Sequence, residues 1–153
     1  MNFKYSAGLL AGTLALTSLT AVAVQVSKPK NPCRIEVSIP HISTFISKRQ
    51  GIRAVKVNAF STCNRPHSRV SLFVQLWKEN LLFKEMLIQT VERNPKLVPA
   101  GMRVYNEATF VPCLNFNSTQ YYGIAYAKAM IDGKWHFARS KLEIMIRPLN
   151  CGT

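Results

Sequence analysis

The stretch that decides the fold is YYGIAYAKAMIDGKWHFARSKLEIMI, residues 121–146. Tyr121 to Ile131 is apolar on both faces of an extended chain with one exception, which is typical of a central strand. Asp132-Gly133 follows at once, and Asp-Gly between two β runs predicts a type I′ hairpin turn, because both central residues need positive φ. Trp135 to Ile146 is then the returning strand. A β-bulge near residues 138–139 would explain why its apolar parity changes.

The chain before this hairpin also has the period-two pattern of strands. Ile35, Val37 and Ile39 alternate with polar residues in a half-buried strand that Pro40 ends. Further strands are predicted over residues 53–59, 70–77 and 83–91. The last of these also has apolar residues at helical spacing, so a short helix there remains an alternative. The fold class predicted from the pattern is all-β and antiparallel.

The N-terminus has the composition of an export signal. Lys4 precedes an apolar run from Ala7 to Leu19 and then Ala21-Val22-Ala23, the small-residue site that a signal peptidase reads. We therefore predict a signal peptide at 1–23, an extended spacer at 24–32 and a single β domain at 33–153, secreted or extracytoplasmic. An uncleaved N-terminal membrane anchor is the alternative, because the stretch from Ala7 to Val26 is about as long as the roughly 20 residues that span a bilayer.

The four cysteines can be paired from the predicted strand order. Cys33 precedes the first strand and Cys63 follows the second, and in an antiparallel pair the start of one strand adjoins the end of the next. The same reasoning pairs Cys113 with Cys151 across the C-terminal hairpin. The spacings contain no C-x-x-C pair and no histidine at zinc-ligand spacing, so we predict two disulfides and no metal site or cofactor.

Catalytic signals are weak. The chain has three histidines and seven acidic residues, without a nucleophile elbow or a glycine-rich phosphate loop, and no catalytic residue is assigned. A small secreted hydrolase or toxin is the alternative function, with one of the histidines, His41, His67 or His136, acting beside a carboxylate. His67 lies between Arg65 and Arg69 and is interpreted as a solvated loop residue.

Positive charge is the main functional signal. Lys and Arg number 20 against 7 Asp and Glu, a formal net charge of +13, and loss of residues 1–23 removes only Lys4. Such a surface attracts anionic envelope polymers or a membrane surface, although charge can equally serve solubility. The residues predicted to bind a polyanion are Lys48, Arg49, Arg53, Arg65, Arg69, Lys134, Arg139 and Lys141. Because they come from separate segments, binding is expected to be diffuse and salt-sensitive.

Nucleic-acid recognition is not expected, because the chain has no recognisable nucleic-acid motif. Aromatic residues do interleave with the charges, and in a sandwich they are expected in the core. These are Tyr121, Tyr122, Tyr126, Trp135 and Phe137. Asn117-Ser118-Thr119 is a glycosylation sequon that we interpret as a chance match. A monomer is expected.

Two resemblances add to this interpretation. Cys63 and Trp77 have a spacing similar to the strand-B cysteine and strand-C tryptophan of immunoglobulin-like domains, and Tyr121 resembles their tyrosine corner. Gly123 stands where the second cysteine of that family would follow. The resemblance implies an antiparallel immunoglobulin-like β-sandwich. A leader followed by a basic β domain with two cysteine pairs also resembles small exported proteins of uncharacterised function in Gram-positive bacteria. The function expected is a secreted, non-catalytic binding domain.

Overall fold

The computed structural model describes residues 31–79, 83–140 and 147–153. The predicted signal peptide, most of the predicted spacer and Lys141 lie outside the described residues. The elements in chain order are β1 Cys33–Val37, β2 His41–Ile42, α1 Thr44–Gln50, β3 Ala54–Cys63, β4 Ser68–Glu79, β5 Lys84–Asn94, β6 Arg103–Pro112, β7 Asn115–Ile131, β8 Lys134–Arg139 and β9 Arg147–Gly152. The all-β prediction is confirmed, and the segment for which a helix remained open is strand β5.

The strands form two antiparallel sheets packed in a sandwich-like arrangement. In the first sheet β3 is central, with β1 and β2 in turn along one edge and β6 along the other. In the second sheet the order is β5-β4-β7, and β8 and β9 share the far edge of β7. Each sheet therefore has one edge built from two short strands.

The C-terminal hairpin turn is confirmed, but the predicted bulge is wrong. Asp132 and Gly133 both have positive φ, 49° and 75°, as a type I′ turn requires. Pairing with β7 is regular through Ala138 to Arg139, opposite Tyr126. Residues 141–146, the rest of the predicted returning strand, lie outside the described residues.

The core lies between the sheets. Val55 and Val57 of β3 pack against the fully buried Leu72, Val74 and Leu76 of β4. Beside β4 in the same sheet, three inward residues of β7 have small side chains or none: Gly123, Ala125 and Ala127. A Cβ built on Gly123 would lie 2.5 Å from Val57 Cγ2, so this position has no room for a side chain. The inward residues of β7 thus let the two sheets approach closely.

Both predicted disulfides, Cys33–Cys63 and Cys113–Cys151, are present. Cys33 lies directly opposite Cys63 in the β1·β3 register, as the antiparallel reasoning required. The bridges close segments of 30 and 38 residues and stabilise the fold by about 2–4 kcal/mol each. Two disulfides indicate an oxidising, extracytoplasmic environment.

The two bridges mark opposite ends of the sandwich. The end with Cys33–Cys63 and the turn at 132–133 is called the upper end, and the end with Cys113–Cys151 and α1 the lower end. Strand β3 runs between them over ten residues, which corresponds to about 30 Å. Groups at the two ends therefore cannot contact the same small ligand.

The residues behind the immunoglobulin resemblance have particular environments. Trp77 is half-buried on the outer face of the second sheet, where it stacks on Tyr122 with ring centroids 5.9 Å apart. Tyr121 is fully buried, and its hydroxyl donates to the Cys151 carbonyl, downstream in the chain. The Cys33–Cys63 bridge lies within the first sheet, in contrast to the bridge between sheets of antibody domains, and Cys113 lies between β6 and β7 where the chain passes from one sheet to the other.

A buried polar contact joins the two sheets at their β5 and β6 edges. Asn106 of β6 is 1% exposed, and its Nδ2 donates to the Leu72 carbonyl of β4 at 3.1 Å. Its Oδ1 accepts from the Thr90 hydroxyl of β5 at 3.1 Å. A buried amide, hydroxyl or carbonyl without a hydrogen-bond partner destabilises the fold. These bonds therefore fix the position of β6 relative to β4 and β5.

Candidate functional site

The predicted polyanion-binding residues lie in three places. Lys48, Arg49 and Arg53 lie at the lower end, on α1 and just after it. Arg65, Arg69 and Lys134 lie at the upper end, around the β3–β4 loop and the hairpin turn. Arg139 is on the outer face of the second sheet, opposite Tyr126, and Lys141 lies outside the described residues. The expected surface is thus divided between two ends about one strand length apart.

The upper end mixes positive with negative charge. Arg65 forms an ion pair with Asp132 of the hairpin turn, with 2.8 Å between Nη1 and Oδ2. Both side chains are more than half exposed, so the pair adds little stability. It does, however, offset one of the three cations that the sequence assigned to this region. An approaching anion meets a carboxylate there as well.

At the lower end, α1 lies in a loop between β2 and β3 whose two ends are joined by a hydrogen bond. The Ser43 amide donates to the Ala54 carbonyl at 3.0 Å, so the chain leaves and rejoins the sheet at one point. The Ser43 hydroxyl caps the helix by accepting from the Ile46 amide, and Gly51 ends it with φ of 68°. Ile46 is buried and anchors the helix to the domain.

The exposed face of α1 is apolar and cationic. Phe45 is more than half exposed, and the Arg49 guanidinium lies 4.8 Å from its ring centroid. Residues four apart share a helix face, which places this pair together. Lys48 lies one turn from Phe45, and the helix has no acidic residue in its first turn. The helix therefore presents a ring and two cations to solvent.

A second apolar segment adjoins the helix through Arg53. The Cys113 amide donates to the Arg53 carbonyl at 2.9 Å, and the Arg53 guanidinium lies 5.3 Å from the Phe116 ring centroid. Leu114 is 80% exposed and Phe116 74%. Asn115 and residues 118–121 of β7 pair with β9 at the lower end of the second sheet. Leu114 and Phe116 thus lie where β7 begins, at the lower end.

We call the exposed apolar and cationic side chains at this end the lower-end cluster. Its members are large exposed apolar side chains and the cations beside them: Phe45, Lys48, Arg49, Ile52, Arg53, Leu114 and Phe116. The segments that carry it, residues 44–53 and 113–120, contain no acidic residue. Two acids near this end, Glu79 and Glu85, belong to the β4–β5 hairpin and pair with Lys84 and Lys78 at 3.1 and 3.7 Å.

The sequence predicted only the basic part of this cluster. Phe45 precedes Lys48-Arg49 by three residues, and Leu114-Asn115-Phe116 follows a half-cystine directly. In the sequence, each of these apolar residues is indistinguishable from a residue on the buried face of a strand or helix. The signal that could have found them is their position in segments flanked by Gly, Asn and Ser, where no regular core-facing period continues.

A second exposed surface lies on the outer face of the second sheet. Phe73 stacks on Tyr126 with 4.8 Å between ring centroids, beside the Trp77–Tyr122 stack. Burial raises the pKa of the Tyr122 phenol above its usual value. The expectation that Trp135 and Phe137 belong to the core is wrong, since Phe137 is 67% exposed and Trp135 nearly half exposed. They lie on β8 with side chains turned away from the first sheet.

The histidines are separated from the carboxylates. His67 is buried, contrary to its interpretation as a solvated loop residue, because it forms a β-bridge with Val98 and its Nδ1 lies 3.0 Å from the Arg65 carbonyl. His41 Nδ1 lies 3.1 Å from the Ile39 carbonyl. Within the described ranges no histidine forms an ion pair with a carboxylate. The same residues contain no cluster of three potential metal ligands.

Comparison with known proteins adds no relative. No family model, no curated protein and no solved structure matches this chain. In the described part of the chain, no helix has the length and apolar content needed to cross a membrane.

Proposed function

We propose that this protein is a secreted, non-catalytic binding domain that attaches to an anionic partner through the lower-end cluster. The observation that carries the proposal is the pairing of Arg49 with the exposed Phe45 ring and of Arg53 with the exposed Phe116 ring at the same end of the sandwich. The histidine–carboxylate alternative has no comparable observation in its favour.

Charge and exposure together favour a binding role over a solubility role for this surface. Cations alone would keep a secreted domain soluble, and they need no apolar neighbours. Leu114 and Phe116 remain in water at a cost, since burying such side chains is worth about 1.5–3 kcal/mol each. Contiguous exposed apolar side chains rimmed by charge are typical of interaction sites.

We also propose the immunoglobulin-like class and the leader at 1–23. The sheet orders β1-β3-β6 and β5-β4-β7-β8 support the class, because they match the A-B-E and C′-C-F-G arrangements of such domains. The outer position of Trp77 and the Cys33–Cys63 bridge within one sheet are departures within that class. The two disulfides support export.

The test is retention of the mature chain, beginning at Val24, on immobilised heparin. Three substitutions, Lys48→Glu, Arg49→Glu and Arg53→Glu, should abolish retention at about 0.05 M salt, where screening is weak. The matched control reverses three cations at the upper end: Arg65→Glu, Arg69→Glu and Lys134→Glu. The control has the same net charge as the lower-end variant, so a difference between them measures position and not total charge.

We expect the lower-end variant to elute well before the control, and wild-type retention to vanish at about 0.5 M salt. Equal loss in both variants would replace a defined surface with diffuse attraction by the whole domain. Absence of wild-type retention at low salt would contradict the proposed function.

A further inference from the structure

We infer that the anionic partner is a lipid bilayer, bound at its surface by the lower-end cluster with Phe45, Leu114 and Phe116 placed among the lipid headgroups and acyl chains. This inference rests on the proposed function, because it names the partner of the same surface.

The exposed apolar side chains distinguish a bilayer from a soluble polyanion. A polyanion in water is bound by cations, and its affinity depends on charge and salt. It does not bury a leucine that is 80% exposed in the free protein. A bilayer offers anionic headgroups above an apolar layer, so it pairs with cations and accepts apolar side chains on one surface.

The arrangement within the cluster suits this geometry. Arg49 lies against the Phe45 ring and Arg53 against the Phe116 ring, so each ring has a cation beside it at 4.8 and 5.3 Å. Long cationic side chains can hold their charge at the headgroup level while the adjacent ring enters deeper. The two carrying segments contain no carboxylate, whose burial near anionic lipid would oppose docking.

The exposed apolar side chains lie at one end of the sandwich. Leu114 and Phe116 lie at the start of β7, and α1 joins the first sheet through the hydrogen bond between the Ser43 amide and the Ala54 carbonyl. Side chains at an end can reach a flat surface without requiring the sheets to deform. We therefore expect the long axis of the sandwich to stand away from the bilayer, with the upper end in water.

The first experiment measures co-sedimentation with phosphatidylcholine vesicles, either pure or with about one third phosphatidylglycerol. The wild-type chain should bind the anionic vesicles and not the neutral ones. Leu114→Ser with Phe116→Ser should lower the partition coefficient about tenfold or more, because two apolar side chains no longer leave water.

The matched control is Leu97→Ser with Met102→Ser at the upper end, where both side chains are also more than half exposed. This pair should leave vesicle binding within about twofold of wild type. Because all four side chains are exposed, the variants should fold, and circular dichroism checks this directly.

The second experiment reports orientation. Trp77 lies near the lower end of β4, so Trp77→Phe is the parent protein of this experiment. In that parent the reporter is Trp135, which is at the upper end and nearly half exposed, and its fluorescence should not change when anionic vesicles are added. Phe116→Trp in the same parent puts a reporter in the lower-end cluster, and its emission should shift to the blue as the indole leaves water. A shift of Trp135 in the parent without an added shift in Phe116→Trp would overturn the docking geometry.

The outcomes separate the two proposals. Retention on heparin without binding to anionic vesicles would overturn the bilayer inference and leave the proposed function standing, with a soluble or cell-wall polyanion as the partner. Vesicle binding that is indifferent to Leu114→Ser and Phe116→Ser would also overturn it. Failure to bind either probe would contradict the proposed function itself.

Discussion

The two faces of the second sheet both carry apolar side chains, but the sizes of those side chains differ along residues 122–127 of β7. On the inward face these residues are Gly123, Ala125 and Ala127, all facing the first sheet. On the outward face they are Tyr122 and Tyr126, which stack on aromatic residues of β4. Small residues thus face the first sheet at this point, whereas the fully buried Tyr121 lies in the core nearer the lower end.

This difference shows what limits each face. The inward face is constrained by volume, because Val57 of β3 already fills the space above Gly123. On the outward face, the choice of side chain depends mainly on contacts with the neighbouring strand, and aromatic rings make these contacts by stacking on each other. Substitutions on the two faces should therefore differ both in size of effect and in what rescues them.

The largest effect is expected for Gly123→Ala. The new Cβ would lie 2.5 Å from Val57 Cγ2, and the β-branched valine cannot rotate away freely. We expect a loss of about 2–3 kcal/mol in the free energy of unfolding, measured by urea denaturation under non-reducing conditions. The double variant with Val57→Ala should recover part of this loss, since the clash is removed. Unchanged stability of Gly123→Ala would show that the sheets are not in close contact at this point.

A smaller difference is expected between two tyrosine hydroxyls on opposite faces. Tyr121→Phe leaves the Cys151 carbonyl without its buried donor and should cost about 1–2 kcal/mol in the free energy of unfolding. Tyr126 bonds to Gln89 Oε1 at 2.7 Å on the exposed face, so Tyr126→Phe should cost less than about 0.5 kcal/mol. Equal losses in urea denaturation would mean that the outer face is as well shielded from water as the core.

Local patterns explain why most strands and both disulfides could be predicted. Asp132-Gly133 allows very few turn conformations, and strand order placed Cys33 opposite Cys63. The apolar run of β7 also predicted a central strand correctly. It did not reveal how much of each face is covered, because apolar alternation reports strand position within a sheet and not the number of layers.

The parts that could not be predicted depend on contacts between distant segments. Asn106 is an ordinary polar residue in sequence, and its role depends on Leu72 and Thr90 arriving beside it. Burial of His67 depends in the same way on Val98. The lower-end cluster required Arg53 to meet Phe116, residues that are adjacent only after β3 and β6 have paired. The spacing of apolar residues along one strand or helix does not predict contacts between residues that are far apart in the sequence.

The smallest effect is expected on the outer face itself, and it tests whether that face contributes to stability. Phe137 is 67% exposed, and within the described ranges no ring stacks on it, whereas Phe73 is half-buried and stacks on Tyr126. Phe137→Ser should change the free energy of unfolding by less than about 0.5 kcal/mol, because little apolar area returns to water. Phe73→Ser should cost about 1 kcal/mol or more through the lost stack. A large loss from Phe137→Ser would mean that this ring is covered in the folded protein, and the outer face would then have to be counted as part of the core.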